Sequence, residues 1–258
     1  GKLLLQGAIV FLGLTINVQS LWSVSQHYSV LIAVYVVATM LVGIVLGRFL
    51  RADTDQTRLL AAGTAICGGT AIAALGPVIR ARSESVAACL TIVFVLNAIA
   101  IVVLPRVGSY FELSQAQFGV WVALAIHDTS SVVGAGAIYG DEALQVATTV
   151  KLVRMLCLIP LILTAAILLN RRETKSRLPG FILVFVLFSV VGSVSKMPAD
   201  WLAGISALSR FMLVAALFLM GLEISRKSIS NLNYRGVTLG ICLWLLVLPT
   251  TFWAVKLW

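Results

Sequence analysis

Residues 125–136 read Ala-Ile-His-Asp-Thr-Ser-Ser-Val-Val-Gly-Ala-Gly, a row of polar groups between apolar segments. His127, Asp128, Thr129, Ser130 and Ser131 are costly in such surroundings unless something polar must sit among them. Residues 65–76 repeat the pattern more weakly. Ala65-Ile66-Cys67 aligns with Ala125-Ile126-His127, and both stretches run on through hydroxyls and small residues to Gly76 and Gly136. Two such stretches read as two interrupted helices forming one site. An interrupted helix frees backbone groups that must find partners. Its half-helix N-terminus suits an anion, and its freed carbonyls suit Na⁺. Gly68 and Gly69, following Cys67, allow a turn or a close approach to a ligand. Thr64, Thr70, Thr129, Ser130 and Ser131 offer neutral hydroxyls to either kind of ligand. The alternative for any one hydroxyl is a bond back to its own helix.

Lys151 and Arg154 lie three residues apart, on one helix face, roughly 12–17 Å into the following span. Each charge costs about 3 kcal/mol at a helix centre on insertion scales, so both must face protein or a cavity. One of them can pair with Asp128 and leave the other to attract an anion. Alternatively, both neutralise Asp128, Glu142 or helix C-terminal carbonyls. His127 and Asp128 form an adjacent titratable pair. They either carry a coupling proton or act as a hydrogen-bonded strut that holds the break open. Asn97 lines the path or bonds between helices. Glu223 reads as a surface partner of Arg226 and Lys227. No metal site is expected, because His27 lies far from His127 in sequence and in a separate connector.

The elements that must position these groups are membrane spans. Of the 258 residues, 60% are hydrophobic and 11% charged, against about half and a quarter in soluble domains. Mean hydropathy is +1.04. The net charge of +9 sits in short loops between apolar stretches, as the positive-inside rule requires, which argues against nucleic acid as partner. Cys67, Cys89, Cys157 and Cys242 lack CxxC spacing and lie in apolar segments, so neither disulfides nor structural zinc are indicated.

Spans are expected at residues 3–21, 28–47, 85–104, 143–169, 181–194, 201–222 and 237–258, with interrupted segments at 59–79 and 118–140. The basic loops 48–58, 170–177 and 226–235 belong on the cytoplasmic side, and the connectors 22–27, 137–142 and 196–200 on the other. Arg80 and Arg82 also favour the cytoplasm. That makes 59–79 a re-entrant hairpin and 118–140 a second one from the opposite side, each arm of about ten residues reaching about 15 Å. The competing arrangement has both segments crossing as broken helices. Residues 11–16 also resemble 219–224 (FLGLTI and LMGLEI), on spans of opposite direction, as in inverted-topology repeats. The fold class expected is therefore an all-α polytopic membrane protein, an inverted-repeat, secondary-transporter-like bundle with two interrupted segments in one transmembrane domain, 1–258.

The blocks at 63–81 (GTAICGGTAIAALGPVIRA), 127–140 (HDTSSVVGAGAIYG) and 151–161 (KLVRMLCLIPL) resemble the UPF0324 family of bacterial inner-membrane proteins, also called YeiH-like or sulfate-exporter-like. The resemblance covers nearly the whole chain. More distantly, CGGTA followed by a charged turn and a long span is similar to bile acid/sodium symporter-type carriers. The UPF0324 resemblance implies about ten spans built as inverted repeats, roughly two of them upstream of Gly1. Where family members carry His-Glu-Val-Ala-Gln, this chain has His127-Asp128-Thr129-Ser130-Ser131, an acid kept but shortened and an amide lost.

Residues and resemblance together point to a secondary carrier of a small anion (sulfate, a sulfonate or a carboxylate) working by alternating access. Thr64, Cys67, Gly68, Gly69, Thr70, Thr129, Ser130, Ser131, Lys151 and Arg154 would bind substrate; His127 and Asp128 would couple Na⁺ or H⁺. The alternative is a channel-like or ligand-sensing membrane protein. An enzyme is not expected, since no nucleophile–base pair is evident, and no cofactor beyond the coupling ion. The partners implied are the anion, the bilayer and, as an option, a second copy of the chain.

Overall fold

The computed structural model describes residues 2–15, 18–168, 180–195, 198–222 and 232–257. The basic stretch 170–177, Lys196 and residues 223–231, with Glu223, Arg226 and Lys227, lie outside the described residues. Within them the chain is helical and contains no strand. The helices are α1 (Lys2–Gly13), α2 (Val18–Phe49), α3 (Thr54–Ala65), α4 (Gly69–Ile79), α5 (Ser83–Tyr110) and α6 (Gln115–Ala125). They continue as α7 (Thr129–Tyr139), α8 (Asp141–Leu156), α9 (Leu158–Leu168), α10 (Gly180–Val194), α11 (Ala199–Leu222) and α12 (Tyr234–Leu257).

Four helical stretches are long and apolar enough to cross a membrane: Trp22–Phe49, Ser83–Tyr110, Asp141–Ala165 and Tyr234–Leu257. Their surfaces are those of a protein dissolved in hydrocarbon. On α2, Val30, Val34, Val37, Leu41 and Val45 form a stripe at helical spacing, each 59–64% exposed, while Ile32, Tyr35 and Thr39 on the opposite face are buried. This is an all-α polytopic membrane protein.

Four expected boundaries move. Residues 22–27 are not a connector. They lie inside α2, which has no proline or glycine before Gly43, and whose 32 residues extend about 48 Å. The expected span 3–21 is divided, because α1 ends at Gly13 and the Thr15 hydroxyl bonds back to the Leu12 carbonyl at 2.8 Å. The loop expected at 105–117 shrinks to 111–114. Pro105 removes one donor, yet α5 continues beyond it to Tyr110. The span 143–169 is two helices, broken at Cys157. Pro160 has no N–H to give the Leu156 carbonyl, which explains a break at that point.

The two interrupted segments are hairpins, not crossings. The first consists of α3, the break Ile66–Gly68 and α4. Asp53 caps α3 by accepting from the Asp55 and Gln56 amides, and the same carboxylate pairs with Arg82 at the start of α5. The Arg82 amide donates to Asp55 at 3.2 Å. Chain entry and chain exit therefore lie side by side. The second hairpin consists of α6, the break Ile126–Asp128 and α7. Ser114 and Gln117 form a capping box at the start of α6. Gln115 Oε1 accepts from the amides of Glu142 and Ala143 at 3.0 and 3.3 Å, capping α8 from the start of α6. Phe118 stacks on Tyr139 with ring centroids 3.8 Å apart.

Helix α5 leaves the base of the first hairpin and ends beside the base of the second. Its 28 residues rise about 42 Å, more than the ~30 Å hydrocarbon core. The hairpin bases therefore lie at opposite ends of α5, and each arm of 11 or 12 residues reaches about 16–18 Å toward the other hairpin.

The packing repeats between halves. α2 lies on α3 as α12 lies on α6; α3 lies on α5 as α6 lies on α8; α5 touches α7 as α9 touches α4. A Cβ on Gly136 would come within 2.9 Å of the Leu144 Cα, so a glycine there lets α7 close on α8. α1, α10 and α11 form a separate group that meets the rest through α7 and α2. The paired stretches at 11–16 and 219–224 begin on α1 and α11, which pack together; residues 16, 223 and 224 lie outside the described residues.

Candidate functional site at the junction of the hairpin tips

The site is built where the two breaks meet. Ile66 is the C-cap of α3 and Ile126 the C-cap of α6, so the sequence alignment of the two motifs is also a structural one. A helix end leaves its last four carbonyls without intrahelical partners, and hydrocarbon supplies none. In α6 every one of these carbonyls is met by a side chain. Arg154 Nη1 donates to Ala123 and Leu124 at 2.8 and 2.7 Å, Trp244 Nε1 to Ala125 at 3.1 Å, and Lys151 Nζ to Ile126 at 2.7 Å.

The same arginine serves the other hairpin. Arg154 Nε donates to the Ile66 carbonyl and Nη2 to that of Thr64 at 3.3 Å. Tyr35 lies beside it on α2, its single O–H shared between the Thr64 and Leu124 carbonyls at 3.0 and 2.8 Å. The Arg154 guanidinium carbon is 5.1 Å from the Tyr35 ring centroid. Arg154 and Lys151 are both 0% exposed. The two equivalent isoleucine carbonyls, one per hairpin, are thus each held by a cation from α8, and the cations complement the negative ends of two helix dipoles.

Of the two expectations for these cations, the helix C-terminal carbonyls hold and the ion pair does not. Neither Lys151 nor Arg154 is paired with Asp128. Among the described residues, the ion pairs within 4 Å are those of Arg82 with Asp53 and Asp55. Asp128 instead caps α7, accepting from the Ser130 amide at 3.1 Å and from the Ser130 hydroxyl. Glu142 stays at the hairpin base, exposed. Backbone satisfaction outcompetes the ion pair because four orphan carbonyls surround the guanidinium.

His127 is buried and fixed by α5. Asn97 Oδ1 accepts from the His127 amide at 3.1 Å and lies 3.2 Å from His127 Nδ1. An amide oxygen cannot donate, so the neutral ring carries its proton on Nδ1 and keeps a lone pair on Nε2. The Asn97 Nδ2 group, also buried, has no partner.

The remaining candidates divide. Gly68 has φ +54°, and a Cβ there would meet Val93 Cγ1 at 3.0 Å and His127 Cβ at 3.1 Å, so one hairpin tip rests directly on the other. Gly68 is the N-cap of α4 and supplies no side-chain cap; the first amides of that half-helix, at Gly69 and Thr70, stay open. Cys67 is buried beside this end, and Thr64 contributes its carbonyl. Thr129 is turned away, its hydroxyl on Met155 Sδ at 3.4 Å. Ser131 is buried in the first turn of α7. Among the described residues, no group of three His, Cys, Asp or Glu residues could hold a metal ion.

Tyr35 and Trp244 were not singled out from the sequence. A lone tyrosine or tryptophan in an apolar span resembles lipid-facing bulk. The available signal was a hydroxyl or indole N–H placed at half the depth of its helix.

Comparison with known proteins gives one consistent family. The family model described as "Conserved hypothetical protein 698" matches residues 1–240. A UPF0324 membrane protein of Bacteroides thetaiotaomicron is 38% identical over 252 residues, 97% of this chain and 76% of that protein. Another from Geobacter sulfurreducens is 37% identical over 256 residues, 99% of this chain and 82% of that protein. A third, from Shewanella oneidensis, is 39% identical over 253 residues, 95% and 78% respectively. No solved structure matches the chain.

Proposed function

The chain belongs to the UPF0324 family of bacterial membrane proteins, and on that premise we propose that it is a secondary transporter of a small anion working by alternating access. The observation that carries this reading is the meeting of two oppositely directed hairpins, tip to tip, around Arg154. Such a junction is within reach of both faces of the membrane through short arms, which is what a carrier must alternate between.

The ligand class follows from what is left over at the junction. Two basic side chains, Lys151 and Arg154, stand near one acidic side chain, Asp128. The α4 N-terminus is uncapped, and an N-terminus favours negative charge. Arg154 commits four of its five N–H groups to carbonyls, so its role is to hold the two tips together. Lys151 donates to one carbonyl and retains two donors. Substrate contact falls to Lys151, the Gly69 and Thr70 amides, Cys67 and Ser131. His127 and Asp128 carry the coupling H⁺, or Asp128 with freed carbonyls takes Na⁺. The reaction is translocation, with no bond made or broken in the substrate.

A thermal-shift screen of the purified protein against sulfate, ethanesulfonate and acetate, with and without Na⁺, tests the reading. Anion-dependent stabilisation that is lost in Lys151→Met supports it, since a ligand at 100 times its Kd adds about 2.7 kcal/mol. Stabilisation by none of these anions would count against it.

A further inference from the structure

A separate feature lies on the outside of the bundle. Between α2 and α12 runs a groove of about 450 Å³, walled by Leu31, Ala38 and Val42 on one side and Leu243, Val247 and Ala254 on the other. Its floor is Tyr35 and Leu124. We propose that this groove binds one acyl chain of a membrane phospholipid.

The walls have nothing to offer a polar ligand. Thr250 and Thr251 spend their hydroxyls on the carbonyls of Leu246 and Val247, at 2.8 and 2.7 Å. The Tyr35 hydroxyl is taken by the Thr64 and Leu124 carbonyls. A satisfied, apolar wall excludes the anion of the tip junction and accepts hydrocarbon.

Position and length select the source. Val34 and Val42 at the mouth are 61% and 42% exposed, on the same side of α2 as the bilayer-facing Val37 and Val45. The lining runs from residue 31 to 42 on α2 and from 254 to 243 on the antiparallel α12. Each wall is about 16 Å long, one leaflet's depth of ~15 Å. The outer end lies beside Trp253, 61% exposed, where an aromatic belt marks the membrane interface. The groove therefore opens sideways onto the bilayer along the helix axes, over a length that one acyl chain can fill. A chain seated there packs against Tyr35, which in turn bonds both hairpins, so bound lipid braces the tip junction.

The test is native mass spectrometry of the detergent-purified protein titrated with phosphatidylglycerol of one chain length. Ala38→Trp and Ala254→Phe fill the groove from opposite walls; Val45→Trp adds the same bulk on the open bilayer face. Wild type and Val45→Trp should retain one phosphatidylglycerol, and each groove variant should lose about tenfold or more in affinity. A phosphatidylglycerol with a diazirine in its acyl chain should label wild-type peptides covering 31–42 and 243–254. That labelling requires no variant to fold. Equal retention in filled and unfilled grooves, or labelling spread over all bilayer-facing helices, would overturn the proposal. So would a groove variant that changes the dimer-to-monomer ratio while lipid retention is unchanged, since the occupant would then be a second copy.

Discussion

Tyr35 and Arg154 donate to the same two carbonyls, those of Thr64 and Leu124, one in each hairpin. A hydroxyl from α2 and a guanidinium from α8 therefore close one bridge between hairpins whose bases lie at opposite ends of α5. The arrangement is redundant at these two carbonyls and not at Ile66 and Ala123, which only Arg154 reaches.

The redundancy has a measurable signature. Arg154→Ala orphans buried carbonyls at about 1–3 kcal/mol each, so it should cost more than ~3 kcal/mol. Arg154→Lys should recover little, because one ammonium cannot span the carbonyls that a planar fork reaches. Tyr35→Phe should cost about 1 kcal/mol while Arg154 remains. In an Arg154→Lys background the same change should cost about 1 kcal/mol more. Chemical unfolding in detergent, run as a double-mutant cycle, reads all of these; strict additivity would refute a shared bridge.

Adjacent glycines should respond in opposite ways. Gly68 combines φ +54° with Val93 and His127 at 3.0–3.1 Å from any added Cβ. Gly68→Ala should therefore lose about 1–3 kcal/mol and disturb the tip contact. At Gly69 the nearest atoms to an added Cβ are 3.5 Å away or more, and the residue opens a helix. Gly69→Ala should be neutral or stabilising by up to ~1 kcal/mol. Melting temperatures of the two variants in one detergent check the contrast.

Hairpins and crossings differ in where their ends are exposed. Arg82 and Glu142 lie at the bases of different hairpins, so cysteines at Arg82→Cys and Glu142→Cys should react with a membrane-impermeant maleimide from opposite faces. The positive-inside rule puts Arg82 on the cytoplasmic face. Labelling of both from one face would restore the broken-crossing topology.

Much of this was legible in the sequence, and the reasons are local. Glycines and hydroxyls inside apolar runs marked both breaks, and the motifs aligned through their Ala-Ile pairs, which prove to be equivalent helix ends at Ile66 and Ile126. Two arginines, Arg80 and Arg82, were enough to favour a hairpin. For Lys151 and Arg154 the sequence left helix C-terminal carbonyls and an ion pair with Asp128 both open, and did not say which carbonyls. Ion pairing is written in side chains, but the carbonyls of Thr64, Ala123 and Leu124 carry no residue signature. Their need for donors appears only once the breaks are placed in three dimensions. The extension of α2 through residues 22–27 was missed for the opposite reason: polar residues without a breaker do not end a helix.

The most direct measurement is counterflow in proteoliposomes loaded with unlabelled sulfate, ethanesulfonate or acetate and diluted into a trace of the labelled anion. Wild type should accumulate label transiently for at least one of these anions. Lys151→Met, which keeps the length of the side chain and removes its charge, should reduce the rate by about tenfold or more. Equal counterflow in Lys151→Met and wild type, or no counterflow of any of the three anions in liposomes with folded protein, would contradict an anion carrier centred on the hairpin tips.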